Sequence, residues 1–167
     1  MESMTSRERQ ILLELIRNAR ISDQEIARRI GTSRPTVLKI RQRLEKKYIK
    51  HYSATVDFTD LGLDVIATTF FRWDDFSKKK EMKQVFDYIR KLPFVIRFCN
   101  GVGMGSMTMI IVSVHADFRE YEQFYEILQE EGGDNIREAQ AFISSTKDMY
   151  KRYDHSSVLI KRILEQK

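Results

Sequence analysis

Residues Ile21–Lys50 read ISDQEIARRIGTSRPTVLKIRQRLEKKYIK, two short helices around a tight turn with the positive charge on the second. Ser22 and Glu25 have the spacing of a capping box, which gives the first helix a defined start. Ile26, Ala27 and Ile30 then recur on one face, and Gly31 supplies the permissive backbone that ends the helix. Ser33 is placed to cap the next helix, with Pro35 in its first turn, where a missing amide donor costs nothing. In that helix Val37, Ile40 and Leu44 line up inward, leaving Thr36, Lys39, Gln42, Arg43 and Lys46 on the other side. A helix of this kind fits the major groove of duplex DNA, although a basic stripe can equally be a solvated surface.

Three further features favour DNA. Another capping box, Thr5 and Glu8, opens a preceding helix that buries Ile11, Leu12, Leu15 and Ile16, completing a trihelical unit. After the basic helix, Tyr48, Ile49, His51, Tyr52, Ala54, Thr55 and Val56 have the composition and partial alternation of a short hairpin or wing, which predicts a winged helix-turn-helix. Charge is also segregated. The first fifty residues carry 13 Lys and Arg against 6 Asp and Glu, a net +7, whereas the remainder carries 16 against 18, a net −2. An acidic duplex is drawn to the first part, with affinity that falls steeply as salt rises.

At 167 residues, 42% hydrophobic and 32% charged, the composition is that of a globular chain long enough for two small domains. We place their boundary between residues 60 and 61. No apolar run approaches the roughly 20 residues that cross a bilayer, and no cationic leader with an apolar core opens the sequence, so a cytoplasmic protein without membrane partners is expected. The single Cys99 forms no internal disulfide framework and reads as a core residue.

The second half alternates strand and helix patterns. Val65–Trp73 reads as a strand, followed by a helix from about Ser77 that presents Met82, Val85, Phe86, Ile89 and Leu92 and stops at Pro93. Phe94–Asn100 and Met107–His115 should form a hairpin across a turn made by glycines 101, 103 and 105. Asp117 and Glu120 can cap a helix carrying Tyr121, Phe124, Tyr125 and Leu128, which Gly132 and Gly133 end, and a last strand spans about Ile136–Ile143. The order β-α-β-β-α-β is the ferredoxin-like plan, making the whole an α+β protein. Because Ile66, Phe70, Ile110 and Val112 leave the second sheet face apolar and uncovered, a homodimer through that face is expected. A closing segment with Val158, Leu159, Ile163 and Leu164 is expected to form one more helix extending the same contact.

The whole chain resembles the Lrp/AsnC, or feast/famine, family of bacterial and archaeal transcription regulators. The resemblance is carried by Ser22, Ile26, Ala27, Ile30 and Gly31, then Ser33, Thr36, Val37, Arg43, Leu44 and Glu45. Most specific is Tyr48-Ile49-Lys50-His51-Tyr52-Ser53-Ala54-Thr55-Val56-Asp57 followed by Leu61-Gly62. It implies a winged helix-turn-helix over residues 1–60 and a ferredoxin-like ligand-sensing and oligomerisation domain with a C-terminal tail over 61–167. It also implies dimers able to assemble further, and small-molecule effectors that are often amino acids. The sequence departs from the family in lacking the glycine usual before the wing, and in carrying its apolar residue at Ile40 rather than at Arg41, which predicts a slightly rotated recognition helix. Where the family often has Gly followed closely by Asp in the hairpin, this chain has Asn100-Gly101-Val102-Gly103-Met104-Gly105-Ser106. Asn100, Gly101, Gly103, Gly105 and Ser106 are the candidate effector contacts on that basis. The loop is no nucleotide motif, because it joins two strands.

The candidate DNA contacts are Ser33, Arg34, Thr36, Lys39, Gln42 and Arg43, with Lys46, Lys50 and His51 as backbone anchors. The alternative is an enzyme, since some proteins resembling this family decarboxylate siroheme through histidines of the second domain. Here His51, His115 and His155 lack metal-ligand spacing, and no nucleophile, base and acid constellation is recognisable. Neither catalytic residues, a metal nor a cofactor is therefore expected.

Overall fold

Thr5 opens the first helix, α1 (Ser6–Arg17), through a complete capping box: its hydroxyl accepts from the Glu8 amide while the Glu8 carboxylate accepts from the Thr5 amide. Ser22 likewise caps α2 (Asp23–Ile30), accepting from the Glu25 amide at 3.1 Å. The expected return bond from Glu25 is not made, because its carboxylate is taken by Arg28 and Arg29 at 2.8 and 2.7 Å. Gly31 ends α2 with φ +66°, a left-handed conformation that side chains disfavour, and Thr32 then donates to the Ala27 carbonyl. After that tight turn comes α3 (Arg34–Lys47), capped by Ser33 with Pro35 in its first turn. Ile11, Leu12, Leu15, Ile26, Val37, Ile40 and Leu44 meet in one core, which makes the three helices a unit.

The computed structural model describes residues 4–151 and 155–165. The chain divides into two compact units, one holding the first 55 residues and the closing helix α6 (Ser156–Glu165), the other running Val56–Tyr150. The place of α6 differs from expectation. Its Ile163 is buried in the three-helix core, with Ile160 packed beside it, rather than on the sheet. Of the four apolar residues in the pattern only Ile163 is buried, whereas Val158, Leu159 and Leu164 stay exposed, since apolar spacing predicts a helix without specifying which side chain its partner covers.

The expected hairpin after α3 is also absent: residues 49–57 run without strand pairing. The segment has no Gly, Asn or Pro to make a two-residue hairpin turn. Tyr52 instead donates to the Glu45 carboxylate at 3.0 Å, tying the extended segment back to α3.

The second unit contains β1 (Val65–Trp73), α4 (Lys79–Ile89), β2 (Val95–Asn100), β3 (Met109–His115), α5 (Phe118–Gly132) and β4 (Ile136–Ser145). Its antiparallel sheet has the order β2-β3-β1-β4, the ferredoxin-like arrangement. α4 begins two residues later than Ser77, whose amide and hydroxyl are held by Asp75. It ends before Pro93, which disfavours helical backbone at Leu92. One sheet face packs Ala67, Phe71, Trp73 and Ile111 against Val85 and Ile89 of α4 and Tyr121, Phe124 and Leu128 of α5. On the other, Ile66, Val112 and Val114 are covered by Phe58 and Leu63, so this face is partly shielded rather than bare. Phe70 and Ile110 remain half-buried there, and Phe142 is exposed.

Candidate nucleic-acid interface

α3 builds a two-sided surface from its own sequence. Val37, Ile40 and Leu44 are 0%, 5% and 1% exposed, whereas Arg34, Lys39, Gln42, Arg43 and Lys46 are all exposed. The expected contact residues therefore share one helix, although they are not equivalent. Ser33 and Thr36 are engaged with each other: the Ser33 hydroxyl accepts from the Thr36 amide at 3.3 Å, and the two side-chain oxygens are 2.8 Å apart. Lys50 and His51 lie beyond the helix, exposed in the extended segment that Tyr52 ties down.

Ion pairing sharpens the charge distribution. On the α1 and α2 side, Arg17 and Arg29 bind Glu14 at 2.9 and 2.7 Å, and Arg28 binds Glu25. The two arginines hold the Glu25 carboxyl down to about 2. Arg34, Lys39 and Lys46, by contrast, have no acidic partner among the described residues, so the uncompensated charge collects on the outer face of α3. Arg43 reaches Glu8 at 3.5 Å. Hydrogen bonds from Thr5, then the charges of Arg43 and Lys47, keep the Glu8 carboxyl below its usual range. Arg34 stands in the first turn of α3, where the helix dipole disfavours a cation and an external anion would relieve the conflict.

Two residues of this unit escaped sequence reading. Arg41, read as a sign of a rotated helix, is a strut: its guanidinium donates to the Ile21 carbonyl at 2.8 Å and sits 3.0 Å from the Asp23 carboxylate, too bent for a hydrogen bond there. Leu38 is 46% exposed amid the polar face, where helical periodicity places position 38 between Arg34 and Gln42. An exposed apolar side chain on such a face has the chemistry to meet a thymine methyl in a major groove.

The candidate effector residues lie in the second unit, at the end of β2 and in the exposed loop to β3. Gly103, Met104 and Gly105 follow one another at φ +144°, +47° and +70°, so the loop needs its glycines. Ser106 is not free, since its hydroxyl donates to Glu138 at 2.8 Å. Glu138 has φ +48° at a bulge of β4 opposite β1 and also binds Arg72 at 3.1 Å. His115 is structural: buried among Phe94, Tyr121 and Phe124, it has Nε2 2.8 Å from the Ser113 hydroxyl. Cys99 is half-buried. Among the described residues no group of three or more metal-ligand side chains occurs, and no helix is long and apolar enough to cross a membrane.

A capped trihelical unit with an exposed cationic third helix, joined to a ferredoxin-like sheet domain, is the architecture of a helix-turn-helix DNA-binding protein with a second α+β domain. A family described as winged helix-turn-helix DNA-binding matches residues 4–47. The chain is 32% identical over 117 residues to the proline dehydrogenase transcriptional activator of Rhodobacter capsulatus, covering 70% of this chain and 74% of that protein. Among solved structures, the AsnC family transcriptional regulator from Agrobacterium tumefaciens superposes with a TM-score of 0.78 at 19% identity, covering 89% of this chain and 94% of that one. A transcriptional regulator from Neisseria meningitidis in complex with L-Met gives 0.75 at 18%, covering 91% and 96%. The chain belongs to the Lrp/AsnC family of DNA-binding transcriptional regulators.

Proposed function

We propose that Ser33, Arg34, Thr36, Lys39, Gln42 and Arg43 contact bases and phosphates from the major groove, with Lys46, Lys50 and His51 holding the backbone. The observation that carries this reading is the positive charge of Arg34, Lys39 and Lys46, without acidic partners among the described residues, on the outer face of a helix whose other face is locked in the core. Leu38 adds an apolar contact in the middle of that surface. The chain works as a cytoplasmic homodimer, able to assemble further, that joins through the apolar sheet face around Phe70, Ile110 and Phe142. Each α3 enters a groove of half-sites separated by about one helical turn or a multiple of it. The first unit with α6 carries DNA binding, and the second carries oligomerisation and sensing. Asn100, Gly101, Gly103, Gly105 and Ser106 belong to the effector site, which takes a small molecule such as an amino acid. The L-Met bound by the Neisseria relative supports that choice of ligand class. No catalysis is assigned, in keeping with the regulator function of the relatives.

Alanine scanning of α3 by fluorescence anisotropy tests the contact set. Substitutions at Lys39, Gln42 and Arg43 should weaken specific binding, whereas the same change at Arg119 in the second unit should not. Equal behaviour of the two groups would contradict the assignment.

A further inference from the structure

An open cleft of about 600 Å³ runs between the start of α1 and one side of α3. Arg7 and Ser6 line it from α1, and Thr36, Lys39 and Arg43 from α3, with Ile40 among its apolar lining. Three of these six side chains are cations, and they come from two helices. One charge is partly used, because Glu8 draws Arg43 to 3.5 Å. Arg7 and Lys39 have no ion-pair partner among the described residues, and both are exposed.

We propose that this cleft is a binding site for one backbone phosphate of the duplex, with Arg7 as its anchor on the α1 side. The inference rests on α3 being the DNA-contacting helix. A phosphodiester offers a single negative charge and two free oxygens, which suit a guanidinium fork on one wall and an ammonium on the other. The hydroxyl of Ser6 adds a donor beside Arg7. Ile40, buried in the core, supplies the apolar part of the lining between the two cationic walls. The consequence is geometric. A phosphate held jointly by α1 and α3 fixes the angle at which α3 lies in the groove, the positioning role that backbone contacts play. Arg7 lies outside the two helices of the helix-turn-helix pair, which makes α1 part of the interface rather than only its support.

The test uses the full chain and the tightest duplex recovered from a random pool, with affinity followed by anisotropy across a salt series. Arg7→Ala should reduce the slope of log affinity against log salt by roughly one unit, with Arg7→Lys intermediate and Arg119→Ala unchanged. Duplexes carrying a single neutral methylphosphonate at each backbone position should include one that weakens the native protein but leaves Arg7→Ala unaffected. Circular dichroism should give the same melting temperature for Arg7→Ala as for the native chain, separating lost contact from lost fold. An unchanged slope together with an unchanged methylphosphonate pattern overturns the cleft alone. Failure of the native chain to bind any duplex overturns the reading of α3 and the cleft with it.

Discussion

Arg41 donates to the carbonyl oxygen of Ile21 at 2.8 Å, joining the middle of α3 to the residue just before the cap of α2. The Asp23 carboxylate beside it, 3.0 Å from Nε, completes a partly buried clasp. Apolar packing holds the two helices together, and this directional contact adds a polar tie between them. Arg41→Ala removes a charged hydrogen bond and should lower unfolding free energy by about 1–3 kcal/mol. Binding should weaken alike on all DNA sequences, because the change acts on geometry. Urea melts and anisotropy on two unrelated duplexes check both parts.

How far the sequence could be read follows the range of each interaction. The caps at Thr5, Ser22 and Ser33 and the buried stripe of α3 involve residues three or four apart, so they were legible. The Glu25 bond was not, since three side chains compete for one carboxylate and Arg28 and Arg29 win. The strut made by Arg41 is hidden for a related reason: its partner carbonyl is twenty residues away, and no local pattern marks it. The hairpin predicted at 48–56 does not form and α6 packs elsewhere than expected, because pattern reveals a segment's preferred conformation but not its partner. Leu38 and Arg7 carry no signal in the sequence, because an exposed leucine and a lone arginine each look ordinary until the surface around them is assembled.

Arg43→Ala should flatten the salt dependence of binding by about one unit if the side chain meets a single phosphate. A slope equal to the native one would remove Arg43 from the interface.

Base reading gives a different signature. Substitution of Leu38 by alanine should cost about 1–3 kcal/mol on duplexes with one particular A·T pair and little on those where that pair is replaced. Equal losses on both duplexes would mean that Leu38 serves packing.

Ile163 is 7% exposed in the core of the first unit. Ile163→Ala should destabilise that unit by about 2–5 kcal/mol and weaken DNA binding although α6 carries none of the proposed contacts. The only tryptophan, Trp73, lies buried in the sheet unit. Its fluorescence transition should stay in place while the helical circular dichroism signal melts earlier.

Burial pushes the His115 imidazole below its ordinary 6.5, against a smaller opposing pull from Glu120. Below about that pH the unfolded chain takes up a proton that the folded domain resists, so stability should decline as pH falls until the folded-state value is reached. The lowered carboxyls of Glu8, Glu25 and Asp75 act in a more acid range. Denaturation midpoints at pH 7.5 and 5.5 should differ for the native chain, and the difference should shrink in His115→Gln.

The most direct test of the central claim is selection of duplexes from a random pool by the purified full chain in dilute buffer, followed by salt titration of the winner. A regulator that reads DNA with the outer face of α3 should enrich a two-fold symmetric sequence and bind it with affinity that falls steeply as salt rises. Recovery of no preferred sequence, with binding absent even at low salt, would contradict it.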